Sequence, residues 1–268
     1  MTKIVSCINL KGGVGKTALA VNMAAYFGAT GLKTLLIDLD PQTNATFSCI
    51  TVDQWKTHAR DRGTVADILG ARKHATAQAK QKKVSEVVLE NVFLNVDLVP
   101  SHLDLFTIDL DLASATAREF RLRKAIAEVG NKYDLIVCDC PPNLTIPTQN
   151  AIAASTHYVV PISADFLSSL GIGILLSRIE QLCDDLSHDL VLGGIVISRV
   201  GRPAYHRSEI VTALRTQFPN DVLNSSIQER VAVAEAASKQ ISVFDNTDIQ
   251  AASEFKAVYL ELKNKLGF

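Results

Sequence analysis

Apolar positions along this chain fall into two kinds of segment that take turns. Short continuous apolar runs occur at Ile4–Ile8, Lys33–Asp38, Leu94–Val99, Tyr133–Cys138, Tyr158–Ile162, Leu190–Ser198 and Val222–Ile227. Runs of this length with few polar interruptions predict strands covered on both faces. Between them lie stretches with helical spacing: Ala18–Ala25, Thr64–Leu69, Ala113–Val129, Leu170–Leu182, Ile210–Phe218 and Ala251–Leu266. In 113–129, for example, Phe120, Leu122, Ile126 and Val129 are apolar and charges fill the other positions. Residues 51–95 carry the weakest pattern, and Ala71–Lys83 reads as an exposed, lysine-bearing loop or helix. Strand and helix alternate, which predicts an α/β fold: a mostly parallel, doubly wound sheet with helices on both faces. With no linker, repeat or low-complexity tract in view, residues 1–268 are expected to form a single domain.

The junction between the first strand and the first helix is unusual. Lys11-Gly12-Gly13-Val14-Gly15-Lys16-Thr17 joins an apolar run to a helix of small residues. A glycine turn lets the backbone approach an anion, and its N–H groups converge on it together with the helix N-terminus. Lys16 is placed to reach β and γ phosphates, and the Thr17 hydroxyl to ligate Mg²⁺. The general pattern G-x-x-x-x-G-K-[ST] is not met, because Leu10 occupies its first glycine position; the turn instead carries a second lysine, Lys11. The match predicts a nucleoside-triphosphate site, a P-loop.

Two acidic segments belong with it. Asp38-Leu39-Asp40-Pro41 closes the second strand, and the carboxylates of Asp38 and Asp40 fall on one side of an extended chain. At the carboxyl end of a parallel strand they point toward the crevice where such sheets bind ligands. Acidic turns of this kind are common on solvated surfaces; beside a phosphate site they read as functional carboxylates facing the ligand. The second segment is Leu135-Ile136-Val137-Cys138-Asp139-Cys140-Pro141-Pro142. An aspartate at the end of an apolar strand needs a cation or donor nearby to offset several kcal/mol of desolvation, and a Mg²⁺-bound water supplies one. Pro141-Pro142 stops the strand and stiffens the loop expected to face the γ-phosphate.

Composition narrows the class further. The chain has 268 residues, 47% of them hydrophobic, and a formal net charge of −1, so nucleic acid would have to be held by a local patch. Five cysteines without a C-x₂-C pair suit a reducing, cytoplasmic compartment, and Cys138 and Cys140 read as small buried hydrophobes. Met1-Thr2-Lys3 runs straight into the first strand, so no signal peptide is expected, and no apolar stretch approaches the roughly 20 residues of a membrane span.

Lys11–Thr17, Asp38-Leu39-Asp40-Pro41-Gln42-Thr43-Asn44-Ala45-Thr46 and Asp139-Cys140-Pro141-Pro142 together resemble the ParA/MinD superfamily of deviant P-loop ATPases, most closely its ParA branch. Weaker similarity covers Arg118–Leu122, Phe166–Leu182 and Ala234-Glu235-Ala236. The resemblance implies ATP and Mg²⁺ as cofactors, with Gly12, Gly13, Val14, Gly15, Lys16, Thr17, Ala18, Asp38 and Pro141 around the nucleotide. It implies Thr17, Asp38 and Asp139 at the metal, Lys16 in phosphate neutralisation and Asp40 positioning the attacking water. Lys11 would reach across a homodimer interface to the partner's nucleotide. The implied cycle is a timer: an ATP-bound dimer holds DNA of the nucleoid without sequence preference, until a ParB-like or other adaptor stimulates hydrolysis.

One segment departs from the family. The pattern I-P-R-N-V-R reads Ile227-Gln228-Glu229-Arg230-Val231-Ala232 here, so two basic positions have become Glu229 and Ala232. Arg230 and the arginines Arg199, Arg202 and Arg207 of the expected loop 199–207 are then the candidates for DNA. With no DNA-binding segment ahead of the P-loop, operator-specific repression is not expected, and Lys263–Phe268 is a poor membrane anchor. The competing readings are a MinD-like membrane-associated regulator, a metal-cluster carrier and a metabolic ligase or kinase. They would show, respectively, a basic amphipathic tail, cysteine pairs at a subunit interface, and turnover dependent on a small substrate alone.

Overall fold

The computed structural model describes residues 2–71, 81–200 and 205–268, apart from the side chains of 166–170, 200 and 205–207. The strands are β1 (Lys3–Cys7), β2 (Thr34–Asp38), β3 (Leu89–Phe93), β4 (Val96–Val99), β5 (Leu135–Asp139), β6 (His157–Ser163), β7 (Val191–Val200) and β8 (Val222–Gln228). The helices begin with α1 (Lys16–Ala29), α2 (Asn44–Cys49), α3 (Val52–Asp61), α4 (Val65–Leu69), α5 (Val84–Val87) and α6 (Ile108–Asp111). They continue with α7 (Arg121–Ala127), α8 (Ile146–Ala154), α9 (Phe166–Asp185), α10 (Tyr205–Gln217), α11 (Val231–Ser238) and α12 (Ile249–Leu266).

Among the described residues the strands form one sheet in the order β3-β4-β2-β5-β1-β6-β7-β8, parallel except for the β3–β4 hairpin. Successive side chains of a strand serve opposite faces, and the two cores divide accordingly. Leu35, Ile37, Ile136, Cys138 and Ile197 pack under α4, α7, α8, α9 and α10. Leu36, Val137, Val159 and Val196 pack under α1 and α12. Both faces are therefore apolar, which is why the strands read as continuous runs rather than as alternating ones. Because β1, β2, β5, β6 and β7 are parallel, their carboxyl ends meet at one edge of the sheet, and this edge carries every nucleotide motif.

Several expected elements differ. The long helix over Ala113–Val129 is reduced to a 3₁₀ turn at Arg118–Phe120 followed by α7. Ala117 takes a left-handed conformation (φ 51°), and the Arg118 guanidinium donates to the carbonyls of Leu112 and Ala113 at 3.2 and 3.1 Å, in place of helical partners. Asn150 then accepts from the Leu122 N–H at 2.9 Å and starts the helix from α8. The strand expected to begin at Leu94 begins at Val96, because Asn95 turns the β3–β4 hairpin at φ 57°. Within the expected loop 199–207, Arg199 still belongs to β7 and the backbone of Arg207 to α10, while Arg202 lies outside the described residues. Most of the 71–83 segment also lies outside them. The remaining expected strands and helices are present, with ends shifted by a few residues. No described helix is long and apolar enough to cross a membrane.

Candidate nucleotide site

The turn after β1 is built as the glycine pattern requires. Gly13 and Gly15 sit at φ 75° and 85°, where a side chain would be strained, and α1 starts at Lys16. Asn9 braces the turn from below: its Nδ2 donates to the Pro161 carbonyl at 2.7 Å, and its Oδ1 accepts from the Lys11 N–H at 2.9 Å. Lys16 is buried, and its Nζ donates to the Lys11 carbonyl at 3.0 Å. Burial lowers its pKa, while the nearby Asp139 and Asp40 hold it up. A polyanion entering the turn would favour the charged lysine further.

The Thr17 hydroxyl donates to Asp139 Oδ2 at 2.7 Å. Asp139 is fully buried, and its other oxygen has no hydrogen-bond partner among the described residues. Burial raises the Asp139 pKa well above the carboxylate range, and the charge of Asp38 beside it raises it further. Asp38 stands opposite Asp139 in the β2–β5 register, and burial pushes its pKa up to about 7 against three opposing hydrogen bonds. Two buried carboxylates with an orphaned oxygen form a set that a divalent cation fits, since a cation restores the charged forms and fills the open acceptor. Thr17 and Asp139 are the residues placed to hold it, directly or through its waters.

Asp38 has a further task. Its Oδ2 accepts from the Thr46 N–H and hydroxyl at 2.8 and 2.7 Å, and its Oδ1 from the Asp40 N–H at 3.1 Å. Those bonds fold the 40–46 loop back over the strand end. Asp40 is thereby turned into the cleft, with its Oδ1 accepting from the Gln42 N–H at 2.9 Å.

The cleft itself has a volume of about 1070 Å³, large enough for a nucleoside triphosphate. Gly12, Gly13, Gly15, Lys16, Thr17 and Ala18 form its floor, and Asp40, Gln42 and Phe47 one wall. The segment from Ile227 through α11 to Ile241 forms the other wall. Pro142 rather than Pro141 faces the cleft; Pro141 is buried, as is Val14. Lys11 stands at the outer rim, half-exposed, with Nζ 2.9 and 2.8 Å from the two oxygens of Asp165. The DNA candidates are also engaged. Arg199 is ion-paired with Glu229, and Arg230 with Glu254 at 2.6 Å. Arg202 and the Arg207 side chain lie outside the described residues.

Sequence reasoning missed Asp165, Ser198 and Ser101, each of which touches a motif residue. Asp165 and Ser198 follow or end apolar strands and had that signal available. Ser101, which donates to the Asp40 carbonyl at 2.7 Å, had none.

The AAA domain family profile matches residues 2–192. The chromosome-partitioning ATPase Soj of Treponema pallidum is 32% identical over 253 residues, covering 94% of this chain and 92% of that protein. The chain belongs to the ParA/MinD superfamily of ATPases. The cell division protein PomZ of Myxococcus xanthus is 33% identical to this ATPase over 88% of the chain and 70% of its own length. A plasmid partition protein of Borrelia burgdorferi, solved with bound AMPPNP, shares the fold at a TM-score of 0.78 and 22% identity, covering 99% of this chain and 99% of its own. The ParA/MinD assignment rests on the profile and the Soj match; the solved structure adds the fold.

Proposed function

We propose that this ATPase is a positioning switch: it dimerises on ATP, holds DNA of the nucleoid without sequence preference, and releases it when an adaptor protein stimulates hydrolysis. The observation that carries the reading is the second P-loop lysine. Lys16 already occupies the turn's interior, whereas Lys11 stands at the rim of the cleft with its ammonium directed out to Asp165. A cation at that rim suits a contact with a second molecule's phosphates rather than with its own. The relatives support the same class, since one is a chromosome-partitioning ATPase and another a cell division protein.

ATP with Mg²⁺ is the cofactor this donor set fits. When bound, the cation neutralises developing charge on the β and γ phosphoryl oxygens. The chain's own residues do the rest. The P-loop amides and Lys16 hold the phosphates, Thr17 and Asp139 orient the cation's shell, and Asp40 orients the attacking water. Phosphoryl transfer needs positioning more than covalent help, so a dimer that completes the charge around the γ-phosphate also sets the rate. DNA contact is assigned to the ATP dimer, with Arg202 and Arg207 kept as candidates because Arg199 and Arg230 are ion-paired to Glu229 and Glu254. The protein is expected in the cytoplasm, on the nucleoid.

The test is ATPase rate and sedimentation with ATP, alone and with duplex DNA and the product of a neighbouring gene. An ATP-dependent dimer with salt-sensitive DNA retention supports the reading. A monomer in ATP, or turnover that requires only a small organic substrate, rejects it in favour of a metabolic ligase.

A further inference from the structure

The last residues of β7 grip the P-loop from its outer side. The Ser198 hydroxyl donates to the Val14 carbonyl at 2.5 Å, and Arg199 Nη1 donates to the Gly13 carbonyl at 2.6 Å. These are consecutive residues on consecutive peptide groups. A trans peptide is planar, with its C=O and the following N–H pointing in opposite directions. Drawing the Gly13 and Val14 carbonyls outward therefore turns the N–H groups of Val14 and Gly15 to the other side of the turn. Those are amides that a P-loop presents to phosphate. The grip is also local to this strand end, because Ser198 is buried and Arg199 is held at φ 49°, a left-handed conformation uncommon outside glycine. Such strain persists where surrounding contacts over-determine the geometry. The other end of the guanidinium is fixed by Glu229, which sits in the wall formed by the β8–α11 segment.

We infer that Ser198 and Arg199 are positioning residues of the phosphate cradle, and that Glu229 aims Arg199 so that the β8–α11 wall and the P-loop move as one. Arg199 is thereby withdrawn from the DNA candidates. The acidic residue that replaced a basic family position has a use here: a positive residue at 229 would repel the guanidinium that the P-loop needs. The inference rests on the nucleotide site and not on the DNA-track reading.

Steady-state ATPase kinetics and fluorescent ATP and ADP titrations on the full chain test it, with the parent's own nucleotide affinity measured first. If the parent binds no nucleotide, the site assignment fails before this inference is reached. Otherwise Arg199→Ala and Ser198→Ala each raise the dissociation constants of ATP and ADP alike, by about three- to tenfold. Turnover at saturation stays within about twofold, because the cradle amides contact both nucleotides. Arg199→Lys, which keeps one donor for Gly13, recovers part of the loss. Glu229→Gln gives a smaller rise, and combining it with Arg199→Ala adds nothing. Thermal unfolding separates a folding defect, which lowers the active fraction without moving the dissociation constant. Unchanged nucleotide affinity in both Arg199→Ala and Ser198→Ala overturns the inference. So does an Arg199→Ala variant that keeps its affinity but shows a flatter salt dependence of DNA binding, which would return Arg199 to the DNA surface.

Discussion

Lys11 is tied to Asp165 of its own chain by both carboxylate oxygens, at 2.9 and 2.8 Å, across the step from the P-loop to the end of β6. Asp165 also accepts from the Ser163 hydroxyl at 2.5 Å, which fixes the carboxylate before the lysine arrives. A lysine meant for a partner's phosphates must leave this pair first. Both side chains are about 40% exposed (42% and 41%), so solvent screens the pair and its strength is about 0.2–1 kcal/mol. Asp165→Asn should therefore tighten ATP-dependent dimerisation by only about two- to fivefold, while Lys11→Ala abolishes it with monomer nucleotide binding preserved. Sedimentation in ATP reads both. A Lys11→Ala protein that dimerises like the parent excludes a trans role for this lysine.

Asp40 offers a way to separate charge from architecture. Its carboxylate lines the cleft and also accepts from the Gln42 N–H. Asp40→Asn keeps an oxygen for Gln42, whereas Asp40→Ala loses it. If Asp40 positions the attacking water, both variants should slow hydrolysis by about 10²–10⁴-fold with ATP affinity near the parent value. Single-turnover measurement with excess protein checks this. Should Asp40→Asn hydrolyse at the parental rate while Asp40→Ala does not, the residue's contribution is the loop turn and not its charge.

The paired carboxylates predict how stability follows pH. Burial pushes Asp38 up to about 7 and Asp139 well above its ordinary value. A carboxyl group whose folded pKa is raised contributes stability that is complete below the unfolded value near 4. That contribution is lost as pH rises through the folded pKa. The nucleotide-free protein should accordingly lose stability between about pH 4 and 8. A Mg²⁺–nucleotide complex needs the ionised pair, so its stabilising shift in Tm should be larger at pH 8 than at pH 6. Asp139→Asn should remove most of that difference. Calorimetry with Mg²⁺–ADP and with EDTA–ADP makes the comparison, and equal shifts at both pH values would contradict a cation at this pair.

Much of this site was legible because its chemistry is local in sequence. Gly13, Gly15, Lys16 and Thr17 are neighbours in one turn, and Asp139 ends an apolar run, so spacing alone placed them at strand ends. The partners that finish the site come from distant strands: Asp165 from β6, Ser198 from β7, and Ser101 from beyond β4. Their identity depends on sheet order, which pattern does not contain. The failed helix over 113–117 has the same origin. Its spacing was helical, but Arg118 and Asn150 offered the backbone better partners than its own next turn. The β3–β4 hairpin was missed because its strand Leu89–Phe93 is only partly covered and Glu90 and Asn91 interrupt its apolar run.

The last prediction concerns Trp55, the sole tryptophan of the chain. Its Nε1 donates to the Ser101 carbonyl at 2.9 Å, its ring stacks on His102 at 5.4 Å and 26°, and Phe47 meets it edge-on at 5.7 Å. Ser101 in turn donates through its hydroxyl to the Asp40 carbonyl, and through its N–H to the Thr46 hydroxyl at 2.9 Å. Thr46 is the residue that Asp38 holds. The indole is thus two hydrogen bonds from the backbone of Asp40, and Phe47 links it to the cleft wall. Any movement of the 40–46 loop on nucleotide binding must shift the polarity around the indole. Trp55 emission should change on adding ATP, change less with ADP, and return at the rate of hydrolysis; in Asp40→Ala the change should persist. Ser101→Ala, which cuts the hydroxyl link while leaving the Trp55 bond to the backbone carbonyl, should reduce the amplitude and slow turnover by about tenfold or less. Emission that ignores nucleotide in a protein shown to bind it would mean that the 40–46 loop is already in its working position before ATP arrives.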